Sequence, residues 1–334
     1  MGIATREAYG QVLKELAENK DIVVLDADLG KATKSISFKE VAPDRFFDMG
    51  IAEGDMIGTA AGLATCGKIP FASTFAIFAA GRGYEQIRNS VAYPNLNVKI
   101  AATHAGVTVG EDGGSHQAIE DISLMRGIPN MVVLNPADAL EARQAILASI
   151  DYNGPVYIRL GRAATPDVNS ENYKFEIGKG TVLREGSDIT VIATGIMVAK
   201  ALEAAEELAK EGINVEVVNI STIKPLDEAL IKETAKKTGK VVTAEEHSII
   251  GGLGSAVCEA LAETKDVVVR RIGVKDVFGQ SGTPADLLKH YGLTTEDIVK
   301  NIKELLCLKN RKKFLQWDSF IFTILYFYDN YKIV

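Results

Sequence analysis

Val98-Lys-Ile-Ala-Ala-Thr103, followed directly by His104-Ala-Gly-Val-Thr-Val-Gly110-Glu111-Asp112-Gly113-Gly-Ser-His116, decides how this chain is read. The first six residues predict a buried strand, and the polar, glycine-rich stretch after them predicts a loop at its end. Glycines there let backbone approach a ligand closely. The loop is bracketed by two of the chain's four histidines and also holds Glu111 and Asp112. A lone histidine at a strand end reads as a satisfied structural group, but this pair with its carboxylates is denser than structure requires. No cysteine pair and no His-Glu-x-x-His spacing accompanies it, which argues against zinc.

The same alternation of short apolar runs and helical periods extends to both sides. Strands are predicted at 22–25, 69–73, 131–134 and 156–160, with helices over 5–18, 57–63, 84–91 and 137–149. Residues 161–186 change character, with Pro166, Asn169 and Asn172 and little periodicity, and read as a connection. A second series follows: strands at 189–193, 215–218, 240–244 and 267–272, with helices over 198–210 and, started by Pro225, 226–238. The pattern predicts two consecutive α/β domains, each a mostly parallel sheet flanked by helices. Their expected limits are 1–165 and 188–306, joined by 166–187. Active groups in such sheets lie at the C-terminal ends of strands, which singles out Asp28, Glu53, Thr74, Phe75, His104 and Arg162.

Composition agrees with a globular protein of 334 residues, 47% hydrophobic and 24% charged. A dispersed net charge of −7 points away from nucleic acid and anionic membrane. Cys66, Cys258 and Cys307 are too far apart for a metal or redox motif, which fits a reducing cytoplasm. Met1 to Arg6 runs straight into a helical pattern, and no apolar run approaches the ~20 residues of a membrane span. The tail, 307–334, turns basic and aromatic and carries Trp317. It reads as a read-through or frameshifted end that stays off the core rather than as a membrane or partner anchor.

Single residues are less decisive. Glu53 precedes an Ala/Gly-rich helical run, and spacing alone reads it as an N-terminal acid favoured by the helix dipole. Arg6, Lys31, Lys34, Arg159 and Arg162 are candidate phosphate ligands, though each alone reads as a solvated charge. Phe75 and Phe78 have ordinary core spacing. Gly252-Leu-Gly254 is a dinucleotide fingerprint lacking its third glycine, which Val257 replaces.

Taken together and in order, these segments resemble the pyrimidine-binding and C-terminal domains of transketolase. The series comprises Ala4-Thr5-Arg6, Asp26-Ala27-Asp28-Leu29, Gly50-Ile51-Ala52-Glu53, Ser73-Thr74-Phe75, His104, Val109 to Gln117, Ile158 to Arg162, Glu245-Glu246-His247 and Gly251-Gly252. It covers about residues 1 to 306. The resemblance implies a ketol transferase of the pentose phosphate pathway, moving a two-carbon unit from xylulose 5-phosphate to an aldose phosphate through a thiamine diphosphate ylide. Glu53 would hydrogen-bond the aminopyrimidine of the cofactor, with its pKa raised by burial. Phe75 and Phe78 would wall that ring, and Asp28 would also contact the cofactor. His104 and His116 would polarise substrate oxygens, Asp112 would read the donor hydroxyls, and Arg6 and Arg162 would grip the phosphate.

Two departures accompany the match: Gly54-Asp55 follows Glu53 where relatives often carry larger polar residues, and Gly81 stands where some carry a further aromatic. The family's Gly-Asp-Gly and distant Asn, which hold diphosphate and magnesium, do not occur. The resemblance therefore implies that this chain supplies no metal ligand. A separate N-terminal subunit would bring the magnesium, the cofactor would lie between chains, and two copies of each would form a heterotetramer. The second domain would serve dimerisation and support. Deoxyxylulose-phosphate synthase and the beta subunit of 2-oxo acid dehydrogenases share the chemistry. A binding or regulatory subunit that kept only the fold is the non-enzymatic alternative.

Overall fold

The computed structural model describes residues 2–307, so residues 308–334 of the expected stray tail lie outside the described residues. Among the described residues, twelve strands run in chain order: β1 Ile22–Asp26, β2 Phe46–Asp48, β3 Ile69–Phe75, β4 Lys99–Thr103, β5 Val132–Leu134, β6 Val156–Arg159, β7 Thr181–Arg184, β8 Ile189–Ala193, β9 Val215–Asn219, β10 Thr222–Lys224, β11 Lys240–Ser248 and β12 Val268–Val274. They form two sheets, ordered β10-β5-β6-β4-β3-β1-β2 and β12-β11-β8-β9-β7. All pairings are parallel except β10 with β5 and β7 with β9. Two consecutive α/β layers are thus present, as the alternating pattern predicts.

The first sheet is covered on both faces, which explains its near-continuous apolar strands. Along β1, Ile22 and Val24 enter one core and Val23 and Leu25 the other. The core holding Val23 also contains Ile192, Val218, Val241 and Val257, so the two halves share apolar packing.

Three features depart from the expected outline. β7 lies inside the predicted connection and forms an edge of the second sheet. β10, from the second half of the chain, pairs with β5 and extends the first sheet. The helix expected from Pro225 starts instead at Glu228, where the Asp227 side chain accepts from the Leu230 N–H. Helices Leu253–Leu261 and Pro284–His290, and one over 295–307, complete the second half.

In the first sheet the chain winds from β1 outward to β2, then returns past β1 to β3 and onward to β4. The order therefore reverses between β1 and β3, and the crevice at their C-terminal ends is where open α/β sheets take ligands. Asp28 and Phe75 stand at that crevice.

Candidate active site

The site begins with backbone that side chains rarely adopt. Asp28, just past β1, has φ +61°, and His104, the first residue after β4, has φ +57°. Such conformations cost a non-glycine residue on the order of 1 kcal/mol and cluster at functional sites. Asp28 is exposed at the rim, while neighbouring Asp26 is buried and accepts from Thr33, Ser35 and the Leu29 N–H. Asp26 thus shapes the β1 turn and Asp28 is left facing outward.

His104 stacks on Phe75, with ring centroids 3.8 Å apart. Phe75 lies nearly parallel to Phe78 at 5.8 Å, and His116 meets Phe78 edge-on at 5.4 Å. The spacing of three that reads as ordinary core in the sequence is a stacked aromatic wall here, because β3 ends at Phe75 and a short helix, Ala76–Gly81, starts beside it.

Arg6 Nη1 donates to His104 Nε2 at 2.9 Å. An arginine only donates, so His104 carries its proton on Nδ1, 2.9 Å from Thr103 Oγ1. Burial, reinforced by the charges of Arg6, Arg162, His116 and Lys34, pushes the imidazole down to about 3. It is neutral at any physiological pH. Arg162 donates to the Val109 carbonyl and lies 3.5 Å from Glu111. Arg6, Lys34 and Arg162 give this end of the rim a positive field suited to a phosphate. Asp112 is exposed on the loop that carries His116.

Glu53 is the first residue of helix Glu53–Thr65, so the position read from spacing is correct. It is also only 3% exposed, and its Oε1 accepts from Arg82 at 2.7 Å. A buried carboxylate needs such a partner. The Arg82 guanidinium also sits 4.2 Å from the centre of the Phe78 ring and so connects Glu53 to the aromatic wall. The sequence reading missed Arg82, although its place one helical turn after Phe78 was the available signal.

Other candidates stand differently from their sequence reading. Arg159 is not at the rim: it is buried and ion-paired with Asp121 at 2.8 Å. It also donates to the carbonyls of Ala118 and Glu246. Strand alternation turns it away from the crevice and into the contact between the two halves. Lys34 pairs with Glu7 at 3.0 Å, and Lys31 is exposed. The Gly252-Leu-Gly254 turn is filled by its own protein. The Glu245 carboxylate accepts from the Leu253 and Gly254 N–H groups, where a pyrophosphate would have to sit. Among the described residues, no cluster of three or more His, Cys, Asp or Glu could hold a metal ion. No helix among them is long and apolar enough to cross a membrane.

The transketolase pyrimidine-binding domain family matches residues 1–167 and the transketolase C-terminal domain family residues 178–298. The chain belongs to the transketolase family. It is 54% identical to a putative transketolase C-terminal section of Methanocaldococcus jannaschii over 90% of this chain and 95% of that protein. It is similar to a solved split-gene transketolase, described as an inactive beta4 tetramer, at 57% identity and a TM-score of 0.85. That match covers 92% of this chain and 100% of the other. Human transketolase is 38% identical over 91% of this chain, which spans 49% of that protein. The chain thus spans about half the length of that full-length transketolase.

Proposed function

We propose that this chain is the C-terminal subunit of a two-chain transketolase. It would transfer a two-carbon ketol group from a ketose phosphate such as xylulose 5-phosphate to an aldose phosphate, in the cytoplasm. The observation that carries this reading is the convergence, at one crevice, of a buried carboxylate, a stacked aromatic pair, two histidines and a cationic end. The residues fit an aminopyrimidine: Phe75 and Phe78 offer parallel faces, and Glu53 presents a buried carboxyl oxygen beside them. When bound, thiamine diphosphate supplies the nucleophilic carbon and the electron sink.

The residues of this chain bind and orient around that chemistry. Glu53 would hold and exchange a proton at the ring nitrogen, with its Oε1 engaged by Arg82. Arg6 and Arg162 hold the sugar phosphate. His104 donates to a substrate oxygen only after its proton passes from Nδ1 to Nε2 and Arg6 leaves Nε2. His116 and Asp112 contact the hydroxyls, and Asp28 lines the cofactor side of the crevice. The relatives described as a transketolase C-terminal section and as a split-gene transketolase support a separate N-terminal subunit that brings the magnesium and diphosphate ligands. The relative described as an inactive beta4 tetramer supports self-association of this chain.

Ketol transfer should be measured with the N-terminal subunit, thiamine diphosphate and magnesium, offering xylulose 5-phosphate or pyruvate as donor. Turnover with the ketose phosphate is expected, and Glu53→Gln should lower kcat about 10²- to 10⁴-fold. Turnover with pyruvate alone would favour the synthase or dehydrogenase branches. Full activity in the Glu53→Gln enzyme would overturn the role of Glu53 and favour a subunit that kept only the fold.

A further inference from the structure

The second sheet has its own reversal of strand order, between β8 and β11. The crevice there is a ligand position in open α/β sheets, yet the first half of the chain occupies it. Asn135 Nδ2 donates to Thr194 Oγ1 at 3.1 Å, just past β8. On β11, Glu246 is 4% exposed and reaches into the loop that carries the two site histidines. Its Oε1 accepts from the Thr108 N–H at 2.6 Å. A Cβ on Gly106 would collide with the same carboxylate, and Gly106 has φ +82°. A side chain there would be strained and would also displace Glu246.

The turn gripped in this way is the joint of the loop. The Gly106 N–H donates to the Ala118 carbonyl at 2.8 Å, tying the start of the loop to its end. Val109, within the turn, supplies the carbonyl that holds Arg162. Gln117 Nε2 donates to the Val107 carbonyl at 3.2 Å, next to His116. A carboxylate is costly to bury, and an apolar residue could fill the same space without that cost. Its use here is the charge-assisted bond to a backbone N–H.

We propose that Glu246 is a positioning residue that reaches from the second domain to hold the turn at Gly106–Val109, and so sets where His104, His116 and Arg162 stand. The catalytic consequence rests on the function proposed above; the positioning itself does not.

The test combines amide hydrogen exchange on the full chain with kinetics after addition of the N-terminal subunit. In Glu246→Ala, exchange at Thr108 and across 104–117 should rise at least about tenfold, the loss of one charge-assisted bond. Segments in β8 and β9 should keep their protection. Glu246→Gln, which retains an oxygen acceptor, should restore most of the protection. In the assembled enzyme, Glu246→Ala should lower kcat by about tenfold or more, with a smaller change in donor KM. If Glu246→Ala folds poorly, Gly106→Ala presses on the carboxylate from the opposite side and should show the same local loss. Unchanged loop exchange in Glu246→Ala, or a loss spread evenly over the second sheet, would overturn the proposal. Local loosening in a complex whose parent enzyme transfers no ketol group would uphold the positioning and sink only the assigned reaction.

Discussion

His104 shows how one residue carries several constraints at once. It sits in a left-handed backbone conformation, stacks on Phe75, and accepts from Arg6 through its unprotonated Nε2. Burial and surrounding cations lower its pKa to about 3, against ~6.5 for an ordinary histidine. The folded state therefore binds fewer protons than the unfolded state between these values. Its contribution to stability is complete above pH ~6.5 and is lost as pH falls toward 3, by up to about 1.4 kcal/mol per pH unit. Asparagine tolerates the same backbone conformation, so His104→Asn should flatten the fall of the urea midpoint between pH 7 and pH 5. An unchanged slope would mean that other groups dominate acid sensitivity. Arg6, His104, Phe75 and Glu53 were legible in the sequence only as an ordered series. Glu246 also belongs to that series, but its contact with Thr108 does not show there, nor does the pairing of Arg82 with Glu53, because the partners lie 138 and 29 residues away.

At the scale of elements, the sequence was most legible where strands are wholly buried, as in β1, β4 and β8. It was least legible at β7 and β10. β7 is half-buried along its whole length, so no alternation marks it. β10 has three residues and owes its existence to β5, far away in the chain. Arg159 was misplaced for a related reason, since strand position alone cannot say which neighbour covers its face. Its buried pair with Asp121 contrasts with the exposed pair of Lys14 and Glu40. Arg159→Ala leaves the buried Asp121 without its counter-charge, with only the Tyr157 hydroxyl donating to it, and should cost about 3–5 kcal/mol, read as a lower urea midpoint. Lys14→Ala should cost less than about 1 kcal/mol. Equal midpoints for the two variants would contradict the assignment of Arg159 as a strut between the halves.

On the scale of the whole molecule, the two sheets do different work at equivalent places. The reversal point of the first sheet gathers Asp28, Phe75 and their neighbours around an open crevice. The reversal point of the second sheet is filled by Asn135 and by the loop that Glu246 holds. The second domain is thereby tied to the site, a role beyond the dimerisation and support expected from the sequence. The aromatic wall, the buried carboxylate and the cationic end stand on this chain, and in the proposed enzyme the diphosphate and magnesium ligands stand on another. The most direct measurement is a calorimetric titration of thiamine diphosphate with magnesium into this chain, with and without the N-terminal subunit. Saturable binding only when both chains are present is the predicted result. Tight, saturable binding to this chain by itself would contradict the two-chain account.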